Sequence, residues 1–442
     1  MPTNEETLGY HSPIIPGMDQ EGEKLATEFA HDDTLMRATE AHHQGSNPNN
    51  VQKVLEASRA ERKTSYNVED FAPLTGREED WRFTPMRRIE RLFEPANYDA
   101  GDAPVTVDAP APVTVETVAR DDKRLGTVLA PGDRTAVVAW NGFEQATVVE
   151  IPAEAELDAP VRINVADVEG TRVQHLVIRA GAFSKATVIL SHSGSAQAAL
   201  NQTVEVETGD SANLTVVSLQ EWDDTVLHAS NQRLALGRDS KLTHIVVSFG
   251  GDLVRVCADT DFRGPGAELN MLGIYFADGG QHLEHRVFVD HSQPKCFSRV
   301  TYKGALQGKD AHSVWIGDCL IREAADGTDT YELNRNLVLT EGAKADSVPN
   351  LEIENGEIEG AGHASATGRF DDEQLFYLMS RGVPEAEARR LVVLGFFNEI
   401  VAEIGVDEVE ERLMAAIEKE LELTGLITAR TDQDPAAEPA AE

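Results

Sequence analysis

The densest group of potential metal ligands is a run of histidines and acids in the second half of the chain. His282, His285 and His291 stand there with Glu284 and Asp290, and imidazole and carboxylate groups bind zinc and iron. The surrounding residues alternate as in a β-strand, where residues three apart face opposite sides. We therefore interpret these histidines as ordinary side chains on a strand surface, with a metal site as the alternative.

The three cysteines are too few and too scattered to hold an iron–sulfur cluster alone. Cys257, Cys296 and Cys319 form no CxxC pair and no disulfide framework. A cluster held entirely by one protein usually takes four thiolates. Any cluster on this chain would be shared with a partner, or would use histidine and carboxylate ligands. We interpret the three cysteines as small buried hydrophobic residues.

His363 lies in a stretch of small residues, Glu359-Gly-Ala-Gly-His-Ala-Ser-Ala-Thr-Gly368. This stretch joins the last predicted strand to the first C-terminal helix, and its small side chains leave the imidazole accessible. Taken alone, these residues favour a plain loop histidine. The chain also lacks a complete P-loop, since Gly304 and Gly308 are one residue too close, and it has no Gly-x-Ser-x-Gly elbow. Neither of these two motifs therefore predicts an enzyme.

Short β-strands fill the middle of the chain from about Ala103. In this region Val, Thr and Ile recur among polar residues, and we predict strands over Thr135–Trp140, Val161–Val165 and Val173–Ile178. A motif of the form Gly-x-x-small-x-apolar-polar-x begins at Gly181, Gly209, Gly237 and Gly264, at steps of 28, 28 and 27 residues. Such a fixed period indicates stacked units. It predicts a β-solenoid (a β-helix), with a β-sandwich as the alternative.

Helical patterns flank this β region on both sides. Residues 22–41 and 50–62 carry spaced apolar residues, and three helices are predicted after Asp371: one that ends at Gly382, one over 385–404 and one over 407–423. The predicted organisation, in chain order, is as follows: 1–100, an N-terminal helical domain; 101–365, the β-helix core; 366–427, a C-terminal helical domain; 428–442, a disordered acidic tail.

The net charge argues against nucleic acid and anionic lipid as partners and suggests a salt-rich environment. Lys and Arg total 39 and Asp and Glu total 76, which gives 39 − 76 = −37, and only 11 of the cations are lysines. This excess repels nucleic acid and anionic lipid. No apolar run is long enough to span a membrane and no secretory signal is visible, so neither nucleic acid nor membrane is an expected partner. We expect a cytoplasmic protein, and hypothesise a halophilic one, because concentrated salt screens self-repulsion.

Three long motifs resemble signatures of the SufB/SufD family. They begin Phe288-Val-Asp-His-Ser-Gln-Pro-Lys-Cys, Asn334-Arg-Asn-Leu-Val-Leu-Thr-Glu-Gly and Gly362-His-Ala-Ser-Ala-Thr-Gly. The upstream Glu79-Asp-Trp-Arg-Phe-Thr is similar to the SufD side of the family. The resemblance extends over about residues 75–425 and implies a scaffold subunit for iron–sulfur cluster assembly. It also implies a right-handed parallel β-helix between helical domains.

The resemblance further implies partners. Family members form a SufB–SufD heterodimer, and each subunit binds the ATPase SufC through its C-terminal helices, while a cysteine desulfurase supplies sulfur. The SufC contacts would lie between Asp371 and Phe397. No cofactor is expected to stay bound, although iron or a nascent cluster could rest transiently at the SufB interface.

Two departures favour the SufD type of subunit. SufB carries an essential cysteine where this chain has Asn334, and a glutamate where it has Ala364. His363 matches the SufD histidine that takes part in cluster assembly, so the resemblance implies that His363 is the interface residue and a candidate metal ligand. The alternatives are a carbohydrate-active β-helix enzyme and a homodimeric scaffold that acts without SufB.

Overall fold

The computed structural model describes residues 61–194, 197–370 and 372–423. The helix predicted over 22–41, most of the helix predicted over 50–62, and the predicted tail from residue 428 lie outside the described residues. Within the described ranges the regular structure is mostly β-strand. Short helical turns precede it and three helices follow it.

The strands are numbered in chain order: β1 Thr106–Asp108, β2 Thr114–Ala119, β3 Gln145–Ile151, β4 Val161–Val165, β5 Thr171–Ala180, β6 Lys185–Gly194, β7 Ala199–Thr208, β8 Asn213–Trp222, β9 Leu227–Leu236, β10 Lys241–Phe249, β11 Leu253–Phe262, β12 Glu268–Ala277, β13 His282–His291, β14 Phe297–Leu306, β15 His312–Ile321, β16 Asp329–Val338, β17 Lys344–Ile353 and β18 Gly360–Arg369. The α-helices are α1 Met86–Ile89, α2 Arg134–Gly142, α3 Asp372–Ser380, α4 Glu385–Ile404 and α5 Asp407–Leu423.

From β3 onward, successive strands alternate between two nine-stranded sheets. The even strands β4 to β18 form sheet A, which β1 extends, and the odd strands β3 to β17 form sheet B, which β2 extends. Neighbours in both sheets run parallel, except that β1 and β2 pair antiparallel with β4 and β3. The chain therefore coils as a β-solenoid with helices at its ends, which confirms the predicted fold, and the sandwich alternative was wrong.

The predicted repeat marks the corners that lead into β6, β8, β10 and β12. A Cβ atom on Gly209 or Gly237 would lie 2.7 or 2.8 Å from backbone atoms of the preceding turn. Neither glycine has a positive φ. That conformation falls two residues later, at Ser211 (59°) and Asp239 (52°). Glycine is needed at these corners because successive turns approach closely there.

The space between the two sheets is filled by side chains in matching register. Leu214, Leu242 and Leu269 occupy the same position in β8, β10 and β12 and are at most 1% exposed. Burying one such leucine contributes about 1.5–3 kcal/mol. Other interior positions are polar and bonded, since the Gln202 side chain bonds His192 at 3.0 Å. Stacking therefore produces a continuous core that one turn alone could not bury.

The predicted strand over Thr135–Trp140 was wrong, because these residues belong to helix α2. The Asp133 carboxylate accepts a hydrogen bond from the Ala136 N–H at 2.8 Å and caps the helix. The first six residues of α2 are all buried. A short apolar run buried on all sides has no polar alternation that separates helix from strand.

The segment before β1 and helix α2 together cover the outer face of sheet B through buried ion pairs. Arg255 in β11 pairs with Asp133 at 2.8 Å and with Glu284 at 3.1 Å. The Trp81 ring lies 3.9 Å from the same guanidinium group. Arg286 pairs with Asp80 at 2.7 Å. Polar residues on this face of the sheet are therefore buried by residues distant in sequence.

The outer face of sheet A is covered by α4 and α5. Phe397 and Ile400 of α4 are fully buried and pack in one cluster with Ile245 and Ile274 of the sheet. The bounds of α4 and α5 agree with the prediction, and α4 ends at Gly405 in the left-handed conformation (φ 63°). In the described part of the chain, no helix is both long enough and apolar enough to cross a bilayer.

Candidate functional site

Among the strands that the structure describes, the last two of the solenoid have a neighbour on one side only. β17 pairs with β15, β18 pairs with β16, and each is the last strand of its sheet. We call these two strands the rim. No residue of either strand is buried. A sheet edge presents unpaired N–H and C=O groups, which form a template for pairing with another chain.

His363 lies on the rim, in β18, and not in a loop as its neighbours alone suggested. It is exposed and pairs in register with Glu332 of β16. Four residues along, Thr367 Oγ1 accepts a 3.3 Å hydrogen bond from the interior side chain of Asn336. Residues two and four apart on a strand share a face, so His363 is on the strand face that continues the solenoid interior.

The rim offers one imidazole for a metal and not a complete site. Among the described residues, no three His, Cys, Asp or Glu side chains come together as a metal site. Gly362 and Ala364 leave His363 open on both sides along the strand. Iron or a cluster delivered to this position as cargo would need its other ligands from a second chain.

A buried carboxyl group lies one strand below His363. Glu332 is 1% exposed, and neither of its carboxyl oxygens has a hydrogen-bond partner within the described ranges. Burial, reinforced by the charge of Asp318, raises the pKa of Glu332 to about 8. Sequence reasoning missed this residue, because one acid in an alternating strand carries no sign of its isolation.

The two positions that favour the SufD type differ in their surroundings. Asn334 is fully buried, and its amide donates hydrogen bonds to Tyr275 Oη at 3.0 Å and to the Tyr302 carbonyl at 3.1 Å. Ala364 lies on the rim beside His363 and is half-buried. At the first position the chain therefore has a fixed amide in place of a thiol, and at the second it has no carboxylate.

A second exposed surface lies on the C-terminal helices. Phe376 and Tyr377 of α3 are 73% and 56% exposed, and Met379 and Leu391 are each 42% exposed. Phe397, the last residue of the predicted partner-binding range, is fully buried against sheet A. The range from Asp371 to Phe397 therefore contains two kinds of surface. One is an exposed apolar patch, formed by Phe376, Tyr377, Met379 and Leu391, and the other packs internally.

The prediction of surface histidines on the strand over 282–291 was wrong. His282, His285 and His291 are each at most 1% exposed. The predicted divergence is present: His285 Nε2 and the Ser248 hydroxyl are 2.9 Å apart inside the solenoid, whereas His282 contacts Glu284 on the outer face. The outer face is buried because the segment before β1 covers it, which a local pattern cannot indicate.

The cysteines are poorly suited to nucleophilic chemistry. Cys296 and Cys319 are 1% and 3% exposed, as expected for small buried residues, whereas Cys257 is partly exposed on sheet B. Desolvation of the thiol groups by the surrounding side chains raises the pKa of Cys257 and of Cys319 to about 12. Because the thiolate is the reactive form, neither is a ready nucleophile near neutral pH.

Comparisons with known proteins show which family the sequence resembles. Residues 162–396 match the family described as SUF system FeS cluster assembly, SufBD core domain. An iron–sulfur cluster assembly SufBD family protein of Mycobacterium tuberculosis is 52% identical over 368 residues, which cover 81% of this chain and 92% of that protein. The SufD protein of Bacillus subtilis is 29% identical over 61% of this chain and 63% of its own length. The Escherichia coli SufD protein is 26% identical over 44% of this chain and 45% of its own length.

Proposed function

The chain belongs to the SufB/SufD family of iron–sulfur cluster assembly proteins, and from this premise we propose that it is the SufD-type scaffold subunit. It acts by binding partners in the cytoplasm and catalyses no reaction of its own. The observation that carries the proposal is the rim, beyond which no described strand lies, with His363 on its interior-facing side. The buried Asn334 and the absence of a carboxylate at Ala364 support the SufD assignment over SufB.

The rim is the surface proposed to pair with SufB. In the described part of the chain, β17 and β18 each have one free edge, and an edge recognises another strand through main-chain hydrogen bonds. Pairing there would bring His363 to the seam between the two subunits. The imidazole would then contribute one ligand to iron or to a nascent cluster, with the other ligands from SufB.

The exposed apolar patch of α3 and α4 is proposed to dock the SufC ATPase. Phe376 and Tyr377 are large aromatic residues, and aromatic residues are enriched at the centres of protein interfaces. Helix α4 is anchored to the solenoid, because Lys303 of β14 donates a hydrogen bond to the Phe396 carbonyl at 3.0 Å. Movement of SufC could therefore be transmitted to the sheet that ends in His363. Sulfur would reach the assembly from a cysteine desulfurase.

The role of His363 is tested by co-expression with SufB and SufC from the same organism. We expect His363→Ala to form the complete complex but to lose most of the assembled cluster, measured as iron and acid-labile sulfide per complex. The matched control is Ser365→Ala, which alters the next residue on the same face of β18 and leaves the cluster yield unchanged. An unchanged yield in His363→Ala would remove the residue from the mechanism.

The docking patch is tested with a matched aromatic residue elsewhere. Phe376→Asp places a charge in the patch, whereas Phe183→Asp places one at a solenoid corner that is 64% exposed. We expect the first variant to lose at least tenfold in SufC affinity and the second to bind normally. Equal affinity of the two variants would contradict docking at this patch.

The co-purified subunits also separate the remaining alternatives. Family membership favours a scaffold over a carbohydrate-active enzyme. A homodimeric scaffold predicts that a tagged copy retains an untagged copy of this chain when SufB is present, and the heterodimer predicts that it retains SufB.

The proposal of a halophilic setting rests on the net charge of −37. At 1 M salt the Debye length is about 3 Å, so repulsion between surface carboxylates is screened. We expect the unfolding temperature to rise between 0.1 M and 2 M potassium chloride. Full stability in dilute buffer would count against this setting.

A further inference from the structure

Two histidines that sequence reasoning did not pair face each other on the outer face of sheet B. His282 in β13 and His312 in β15 are direct neighbours in register. Their Nδ1 atoms lie 3.1 Å apart, and their rings are inclined at 69°. The pair lies away from the interior-facing side of the rim that carries His363, so its chemistry is independent of the proposed scaffold function.

The opposite nitrogen of each ring is occupied by a carboxylate. His312 Nε2 lies 2.7 Å from Asp346 Oδ2, and His282 Nε2 lies 3.2 Å from Glu284 Oε2. A carboxylate only accepts hydrogen bonds, so each Nε2 carries the proton. In a neutral imidazole, Nδ1 then presents a lone pair. Two lone pairs therefore converge at 3.1 Å, which is repulsive unless an electron-pair acceptor lies between them.

We propose that His282 and His312 bind one divalent transition-metal ion of the zinc type through their Nδ1 atoms. Zinc–imidazole bonds are about 2.0–2.1 Å long, so two nitrogens on one ion lie roughly 3 Å apart, as they do here. A ligating histidine usually donates its other N–H to a carboxylate, which fixes the ring and raises its basicity. Both histidines have this arrangement.

The two carboxylates are themselves held in place. Glu284 accepts hydrogen bonds from Thr84 Oγ1 at 2.7 Å and from Arg255 Nε at 3.1 Å. Asp346 accepts one from Lys344 Nζ at 2.5 Å. The imidazoles are therefore oriented by bonds that need no metal, so the site is preorganised.

The pair is reachable from one side. The His282 side chain is 1% exposed, whereas those of His312 and Asp346 are 22% and 20% exposed. An ion would enter past His312, and water would fill its remaining positions, because the described residues provide no third His, Cys, Asp or Glu ligand. A site with two protein ligands and open positions binds more weakly than a closed structural zinc site.

Metal titration of the full-length protein tests the site. The chain is freed of metal with a chelator and titrated with Zn²⁺, and stoichiometry and affinity are measured by calorimetry for the wild type and three variants. We expect the wild type to bind one more ion per chain than His312→Gln. Asp346→Asn should keep the site with affinity reduced about 10–100-fold, and the control Ser365→Ala should bind as the wild type does.

Two results would overturn the proposal. One is a wild type that binds no Zn²⁺, which would mean that a shared proton alone joins the rings. The other is equal stoichiometry in the wild type and in His312→Gln. Circular dichroism verifies that each variant is folded. If His312→Gln fails to fold, Asp346→Asn decides, because an unchanged affinity in that variant would also contradict the site.

Discussion

Strands β9 and β18 have the same length and the same parallel pairing, yet their surroundings are opposite. All ten residues of β9 are buried, and none of the ten residues of β18 is. β9 has a strand on both sides and a covered outer face, whereas β18 has a described strand on one side only. The difference shows that the repeat determines the geometry of a turn, while the position of the turn in the stack determines whether its strands can pair with another chain.

The same contrast explains where polar residues are placed. In the middle turns, histidines are enclosed and bonded, as His192 is to Gln202 and His285 is to Ser248. On the rim, His363 is exposed between small residues. The middle turns therefore supply stability, and the last turn supplies a surface.

The largest expected effect comes from acidifying the middle turns. Burial lowers the pKa of His192 and His244 to about 4 and that of His285 and His291 to about 3. The unfolded chain binds protons first, near pH 6.5, so stability is complete above that pH and is lost as the pH falls towards 4. At about 1.4 kcal/mol per pKa unit, each histidine contributes up to about 3 kcal/mol of that loss by pH 4.

Urea unfolding between pH 7 and pH 4 measures this effect. The midpoint should fall steeply below pH 6.5, and the fall should be less steep in His244→Gln, which removes one buried titrating group. A midpoint that stays constant down to pH 4.5 would show that the interior histidines are not held neutral.

The next effect compares one core residue with one rim residue. Leu283 is fully buried, so Leu283→Ala should cost about 2–5 kcal/mol of the free energy of unfolding. Ile353, at the end of β17, is 47% exposed, and Ile353→Ala should change stability by about 0.5 kcal/mol or less. Urea midpoints at one fixed salt concentration test both. Similar losses in the two variants would contradict the contrast between the middle turns and the rim.

Glu332 lies at the boundary between these regions and gives the smallest effect. Its pKa is raised by burial to about 8, so the folded chain holds a proton that the unfolded chain releases near pH 4.5. Stability is therefore lost as the pH rises between those values. Glu332→Gln removes this loss and should be more stable than the wild type by roughly 1–3 kcal/mol at pH 8. If the stability of Glu332→Gln relative to the wild type does not increase between pH 5 and pH 8, Glu332 is not a buried neutral acid.

The solenoid was predictable from the sequence because its corners recur. Gly209 and Gly237 are 28 residues apart, and each is required where one turn approaches the next. Helices α4 and α5 were also predictable: α5 has buried apolar residues at a spacing of four, from Val409 to Leu421, and α4 lies between Pro384 and Gly405. Residues 135–140 were predicted wrongly as a strand. The helix there begins at the Asp133 cap, which the apolar pattern of these residues does not indicate.

The parts that escaped prediction depend on contacts distant in sequence. His282 is buried because Thr84 and its neighbours cover the sheet, about 200 residues earlier in the chain. Its pairing with His312 follows from the register of β13 and β15, which spacing alone cannot supply. The lack of hydrogen-bond partners for the Glu332 carboxyl group depends likewise on neighbouring strands such as β18, and no local sequence pattern predicts it.

Hydrogen–deuterium exchange with and without SufB tests the central claim, that the rim is the partner-binding edge. Amide exchange is followed in residues 344–353 and 360–369, with 227–236 of β9 as the internal reference. We expect both rim strands to exchange fast in the free protein and to become protected in the complex, while β9 stays slow throughout. Complex formation that leaves both rim strands unprotected would contradict the claim.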